Sequence, residues 1–251
     1  MSQPVLDVQN LSVSYAVRTG VLRRIQKETV RDVALQIAEG EIFGLIGESG
    51  CGKTTLAKAV CGLVPYTGTV SLCGRDLRSL RRLERSGAVQ LVFQNADSAL
   101  DPCMSVGRLL EEPLIIRKEP KQRRLRAVRE TLEAVGLSEE YAGFRAAELS
   151  GGQRQRVAIG CALLAAPRLI ICDEILASLD VSVQANILNL LSRLNKERGV
   201  SFLFISHDIE TVCYFCSRIA VMYNGEFIET GSAEDLYAAP SHPYTRRLLG
   251  R

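Results

Sequence analysis

The spacing of apolar and polar positions changes period several times along the chain. From Val5 to Ser14 they alternate, as in a half-buried strand. Arg18 to Lys27 is basic and irregular and reads as a loop. EIFGLI, Glu41 to Ile46, is a short apolar strand running into a glycine-rich loop, and Thr54 to Gly62 then takes helical periodicity. AVQLVF, Ala88 to Phe93, reads as another strand, ending at Gln94. From Asn95 the character changes. Ser105 to Leu163 is charged and helical, with KEPKQRRLRAVRETLEAVGL as an amphipathic segment. Strand returns at Leu169–Cys172, helix at Val181–Arg198 and strand at Val200–Ile205. DIETVCYFCSRIAVMY reads as a helix running into a strand. Strand and helix alternating around a helical insertion predict an α/β fold, with a largely parallel sheet and a separate helical lobe.

Composition narrows this in three ways. A chain of 251 residues, 47% hydrophobic, suits one large α/β domain or one core with an inserted subdomain. A formal net charge of +3 is too weak to point to nucleic acid. The basic run from Lys118 to Arg129 is read as a solvated helix face. The 8 cysteines are scattered through apolar or glycine-rich segments, without a preceding secretory signal, and read as reduced thiols of a cytosolic protein. Cys213 and Cys216 form a C-x-x-C without a second pair or a nearby histidine, so packing is the expectation for them. No apolar run approaches the ~18–20 residues that span a bilayer, so a membrane role requires a partner chain.

The candidate chemistry starts at GESGCGKTT, Gly47 to Thr55, which fits G-x-x-x-x-G-K-[ST] with Gly47, Gly52, Lys53 and Thr54 in register. Glycines let the loop curl so that backbone N–H groups converge on phosphate oxygens, and the helix that follows adds its positive end. Lys53 supplies charge for the β- and γ-phosphates, and the Thr54 hydroxyl is placed to ligate Mg²⁺. Beside such a loop, LIICDE takes a meaning. A second buried strand delivers Asp173 to the Mg²⁺ shell, and Glu174 becomes the candidate to polarise the attacking water. LSGGQRQR, Leu149 to Arg156, puts Ser150, Gly151 and Gly152 ahead of the apolar helix VAIGCALLAA, which makes a second anion site. Two copies meeting head to tail would use both sites, each capping the ATP held by the other.

The phosphate loop, LSGGQ, the apolar strand ending in Asp-Glu and the later ISHD occur in one order, and in that order the whole chain resembles the ATP-binding cassette of ABC transporters. The resemblance implies a P-loop core of RecA type, an N-terminal antiparallel β subdomain and an inserted α-helical subdomain. The core would be residues 1–94 and 164–251, and the helical subdomain about 95–163. It implies ATP and Mg²⁺ as ligands. Ser49, Gly50, Cys51 and Thr55 join the phosphate loop, and Gln153 and Asp180 join the contacts to the nucleotide held by the opposite cassette. Gln94 matches the glutamine that senses Mg²⁺ and the transmembrane partner, His207 the switch histidine at the γ-phosphate, and Tyr15 the aromatic that stacks on adenine. SHPYTRRLL, Ser241 to Leu249, and QNADSALDPCMSVGRLLEEPL after the core strand are similar to cassettes serving oligopeptide, dipeptide and nickel importers. Such a cassette would sit on the cytoplasmic face of the membrane beneath two permease subunits. It would pair with a second cassette and be served indirectly by an extracytoplasmic binding protein, with no nucleic acid involved. The tail itself reads as a terminal helix docked on the core.

The chain departs from the family pattern in two places. Ile175, Leu176, Ala177 and Ser178 stand where Pro-Thr-Ser-Ala is usual, before the retained Leu179 and Asp180. Gly160 and Cys161 replace a common Ala-Arg pair. Altered communication between subunits is expected, with the chemistry kept. Two alternatives stay open: a soluble cassette ATPase acting on nucleic acid or ribosomes, and a catalytically weak regulatory cassette paired with an active one.

Overall fold

The computed structural model describes residues 3–19, 23–94 and 99–250. The chain forms two compact units, Met1–Arg81 with Ser201–Arg251, and Arg82–Val200. The first unit opens with β1 (Leu6–Thr19), β2 (Arg23–Ile37), β3 (Ile42–Ile46), α1 (Lys53–Val60), β4 (Thr67–Leu72) and β5 (Arg75–Asp76). An antiparallel sheet runs β2-β1-β4-β5. Its apolar face buries Leu6, Val8, Leu11 and Val13 of β1 with Val30, Val33, Leu35 and Ile37 of β2. The register shifts between Val8 and Leu11, where Asn10 takes φ 50, so the alternation resumes one residue out of phase.

The loop expected over Arg18–Lys27 is corrected here. β1 and β2 continue through it, pairing Arg18 with Arg24, Val17 with Ile25 and Tyr15 with Lys27. Backbone ladder bonds need no apolar alternation, so periodicity missed a ribbon that hydrogen bonding holds. Its tip, 20–22, lies outside the described residues, as do the first residues of the segment after Gln94.

The second unit contains α2 (Arg82–Ala88), β6 (Val89–Val92), α3 (Val106–Ile116), α4 (Lys121–Ala134), α5 (Gly151–Leu164), β7 (Leu169–Asp173) and α6 (Val181–Arg198). β6 and β7 pair in parallel, Val92 opposite Cys172. The basic run falls on α4, which buries only Val128, Thr131 and Leu132. Arg123 pairs with Glu119 and Arg126 with Glu130, one turn apart on the solvent face.

The chain returns to the first unit as β8 (Ser201–Ile205), α7 (Ile209–Phe215), β9 (Arg218–Tyr223), β10 (Glu226–Ser232), α8 (Ala233–Ala238) and α9 (Pro243–Leu248). The order there is β10-β9-β3-β8. β3 is parallel to both β8 and β9, and β10 closes antiparallel on β9. Phe43, Leu45, Phe202 and Leu203 are fully buried, each contributing about 1.5–3 kcal/mol, which is why these strands read as unbroken apolar runs. Cys216 is buried behind α7 and Cys213 half-buried, so the C-x-x-C packs as expected. No helix among the described residues is long and apolar enough to cross a membrane.

Candidate nucleotide-binding site

Gly47 to Gly52 links the buried end of β3 to α1. The helix begins at Lys53, with Gly52 as N-cap at φ 118 and no side-chain cap, so its first N–H groups face the loop. A Cβ on Gly52 would stand 2.7 Å from the Thr29 carbonyl and 2.9 Å from the Met222 methyl. Neither the conformation nor the space admits another residue there. Lys53 is only 4% exposed and folds back into the loop, donating from Nζ to the carbonyls of Gly47 at 2.6 Å and Glu48 at 2.9 Å. Its ammonium also lies 3.9 Å from Cys51 Sγ. Burial pushes the Cys51 thiol up, with Lys53 opposing. Ser49, Gly50 and Thr54 are exposed and Thr55 half-buried. A buried cation ringed by main-chain groups is the local order a phosphate loop requires.

His207 follows β8, beside β3 in the same sheet, where Leu45 pairs with Ile205 and the Ser206 N–H donates to the Leu45 carbonyl at 3.2 Å. The loop and His207 therefore leave the carboxyl ends of adjacent parallel strands, the usual ligand position in such sheets. The Ser206 hydroxyl accepts from the Asp208 N–H at 3.0 Å, and Asp208 caps α7 through the Thr211 N–H at 3.3 Å and hydroxyl at 2.5 Å. His207 itself is exposed. Tyr15 stands on the β1–β2 ribbon, 37% exposed.

The second unit repeats this arrangement. Gln94, exposed, follows β6, and Asp173 is the last residue of the paired strand β7, one residue beyond the expected end. Asp173 is 4% exposed. Glu174, half-buried, takes φ 51, a left-handed conformation that a non-glycine residue keeps only when its surroundings enforce it. Those surroundings are the atypical loop. Ile175 and Leu176 are buried, the Ala177 N–H donates to the Glu174 carbonyl at 3.2 Å, and Gln184 Nε2 holds the carbonyls of Leu176 and Leu179 at 3.2 and 2.9 Å. Two buried aliphatic side chains thus supply rigidity that a proline would give by covalent restraint.

The signature segment starts its helix earlier than expected. α5 begins at Gly151, with Ser150 as N-cap in a reciprocal box: Gln153 N–H donates to Ser150 Oγ at 3.4 Å and Ser150 N–H to Gln153 Oε1 at 2.8 Å. Gln153 Nε2 also donates to the Tyr141 hydroxyl at 2.9 Å. A Cβ on Gly152 would lie 2.5 Å from Val183 Cγ1, so only glycine lets α5 approach α6 this closely. Asp180 caps α6, and the Ser182 hydroxyl at 2.7 Å and Val183 N–H at 3.0 Å hold its carboxyl below the usual range. The structure thus brings Gly151 beside Leu179 and Gly152 against Val183, a contact that spacing did not disclose.

The C-terminal tail makes the other contact that sequence reasoning missed. The hydroxyl of Tyr244 accepts from the Glu48 N–H, inside the phosphate loop, at 3.1 Å. Only the tail's resemblance to other cassettes marked it beforehand. Burial pushes the Glu229 carboxyl up, but the Thr245 hydroxyl, the Ser241 N–H and hydroxyl and the His242 N–H bring it down to about 2. A carboxyl depressed on folding stabilises fully above its ordinary value of 4.5 and loses that contribution as pH falls towards 2. Amide-exchange protection at Ser241 and His242 is therefore expected to drop across this window. Protection that stays flat there in native protein refutes the anchoring role of Glu229.

A glycine loop that follows a buried strand, opens a helix and draws its lysine inward defines a P-loop nucleotide-binding protein. The ABC transporter family matches residues 30–177. The chain is 40% identical to the oligopeptide transport ATP-binding protein OppF of Bacillus subtilis, over 99% of this chain and 82% of that one. It is also 40% identical to the glutathione import ATP-binding protein GsiA of Pectobacterium atrosepticum, over 99% of this chain but only 41% of that longer protein. Its fold superposes on CbiO1 of Clostridium perfringens, part of the ABC transporter complex CbiONQ, with a TM-score of 0.84 at 26% identity, covering 94% and 91% of the two chains. The chain belongs to the ABC transporter family, as an ATP-binding cassette with ATPase activity.

Proposed function

We propose that the chain is the ATP-hydrolysing subunit of an importer for peptide-class solutes, docked at the cytoplasmic face of the membrane beneath two permease subunits. The observation that carries this is the 40% identity to an oligopeptide transport subunit over nearly the whole chain. The name of the glutathione import relative supports the same solute class, and the nickel part of the expectation gains nothing from these names. The working unit pairs this cassette with a second one, identical or paralogous, and an extracytoplasmic binding protein delivers the solute.

The division of labour follows from the side chains. The loop from Gly47 through Ser49, Gly50, Cys51 and Gly52 to Thr55 wraps the phosphates with its N–H groups, and Lys53, held in place by the Gly47 and Glu48 carbonyls, meets the phosphate oxygens. Tyr15 stacks on adenine. Thr54, Gln94 and Asp173 are the candidates to hold Mg²⁺; hydroxyl, amide and carboxylate oxygens are the donor set a hard cation takes. Mg²⁺ held there would supply charge neutralisation to the phosphates. Glu174 takes a proton from the attacking water, and His207 orients the γ-phosphate. Ser150, Gly151, Gly152 and Gln153 cap the ATP held by the opposite cassette, with Asp180 at the same face. Residues 1–94 and 164–251 form the ATPase core, and about 95–163 the helical part that transmits closure to the permease.

Purification from detergent-solubilised membranes is expected to recover the chain with two permease subunits, and deletion to abolish uptake of labelled oligopeptide. Recovery with ribosomes or DNA and without membrane protein supports the nucleic-acid alternative and ends this one.

A further inference from the structure

One contact joins the C-terminal tail to the phosphate loop, and it falls on a single peptide group. The Gly47–Glu48 peptide offers its carbonyl to Lys53 Nζ at 2.6 Å and its N–H to the Tyr244 hydroxyl at 3.1 Å. The lysine that meets phosphate and the tyrosine of the tail therefore grip opposite ends of one amide. We propose that Tyr244 is a positioning residue for the phosphate loop, and that the tail from Ser241 to Leu248 acts as a latch setting the affinity for ATP. This rests on reading Gly47–Thr55 as the phosphate loop.

The latch is built as a fixed support. Tyr244 is 5% exposed and packs on Tyr223, with ring centroids 4.4 Å apart. The neighbouring Met222 carbonyl lies so close that a Cβ on Gly47 would stand 2.3 Å from it, so β9 backs the loop where the tail caps it. Glu229 on β10 accepts from both the N–H and the hydroxyl of Ser241 at 2.7 Å, and from the His242 N–H at 3.2 Å. His242 Nδ1 accepts from the Tyr244 N–H at 3.1 Å, fixing the first turn of α9. Arg246 closes the tail on itself, donating to the Pro240 carbonyl at 3.0 Å and the Ser241 carbonyl at 3.2 Å. Arg247 lies over the Tyr244 ring at 5.3 Å and reaches the Glu48 carboxylate at 3.9 Å. Burial pushes the Tyr244 phenol up, with the hydrogen bond from the Glu48 N–H opposing.

The physical consequence concerns binding and not the chemical step. A peptide capped at its N–H cannot rotate, so its carbonyl stays aimed at Lys53 and the N–H groups that follow stay curled for phosphate. Without the cap the N–H seeks another partner, and part of the binding energy is spent on reordering the loop.

The test uses Tyr244→Phe, which keeps the ring contacts and removes the hydroxyl, with isothermal titration of MgATP and steady-state hydrolysis by the full chain. One lost hydrogen bond corresponds to about fivefold. The expected result is a Kd and KM for MgATP raised about fivefold, kcat within twofold and a melting temperature lowered by no more than about 2–4 °C. Glu229→Gln, which loosens the tail anchor, should move Kd in the same direction. Lys53→Ala separates the two readings. If Lys53→Ala loses MgATP binding while Tyr244→Phe keeps native Kd, the latch is overturned and the phosphate loop stands. If Lys53→Ala keeps native affinity, the phosphate-loop reading fails and the latch with it. A Tyr244→Phe protein with lowered kcat and melting temperature but native Kd has a structural tyrosine only, which also overturns the proposal.

Discussion

Replacing Glu174 with glutamine is expected to lower steady-state ATP hydrolysis by about 10²–10⁴-fold while leaving ATP binding in place. Glutamine matches glutamate in size, so the left-handed backbone at φ 51 and the bond from the Ala177 N–H to the residue's carbonyl persist. What disappears is a carboxylate able to take a proton from water. The loss corresponds to about 3–5 kcal/mol of barrier, the scale of one positioned base. Conformational strain of about 1–3 kcal/mol at such a residue fits a group held for chemistry more than for packing. A trapped, ATP-bound dimer should accompany the loss, seen by size-exclusion chromatography with MgATP. Undiminished phosphate release would remove Glu174 from the role of base.

Lys53→Ala is expected to weaken MgATP binding by about 10–100-fold, the worth of one charge-assisted contact. The starting state explains why the effect lands on binding. Lys53 is already 4% exposed and held by two loop carbonyls, so the native loop carries its cation in place before nucleotide arrives. Alanine leaves those carbonyls facing a negatively charged ligand with no counter-charge. Calorimetric titration measures the loss, and circular dichroism checks that α1, anchored by buried Leu56, Ala57, Ala59 and Val60, still forms. Binding within twofold of native contradicts the assignment of the loop.

Much of this site was legible because its parts are local. A glycine-rich loop between an apolar strand and a helix needs only neighbouring residues to act, and the strand β3 and helix α1 on either side of it form as the pattern predicts. Asp173 and Glu174 were legible as candidates for the same reason, since four consecutive buried residues of β7, Leu169 to Cys172, lead to them. The Ile175–Ser178 loop was harder. Its departure from Pro-Thr-Ser-Ala carried an expectation of altered communication between subunits, but nothing in it showed what holds the turn: burial of Ile175 and Leu176 and the grip of Gln184. Burial is a property of neighbours far along the chain, and a local pattern does not carry it. The β1–β2 ribbon failed in the opposite way, because its order comes from main-chain bonds to which side-chain periodicity is blind.

The sequence by itself determined which residues are candidates to meet phosphate and in what order the family's motifs run. These follow from chemistry carried within a few residues. Only the tertiary structure decided what supports them: Gly152 opening room for Val183 beside the signature, and Tyr244, nearly two hundred positions from Glu48, capping an amide of the phosphate loop. The reason is physical. A hydrogen bond between distant segments depends on how the chain packs, and its two partners share no spacing for a reader of the sequence to find.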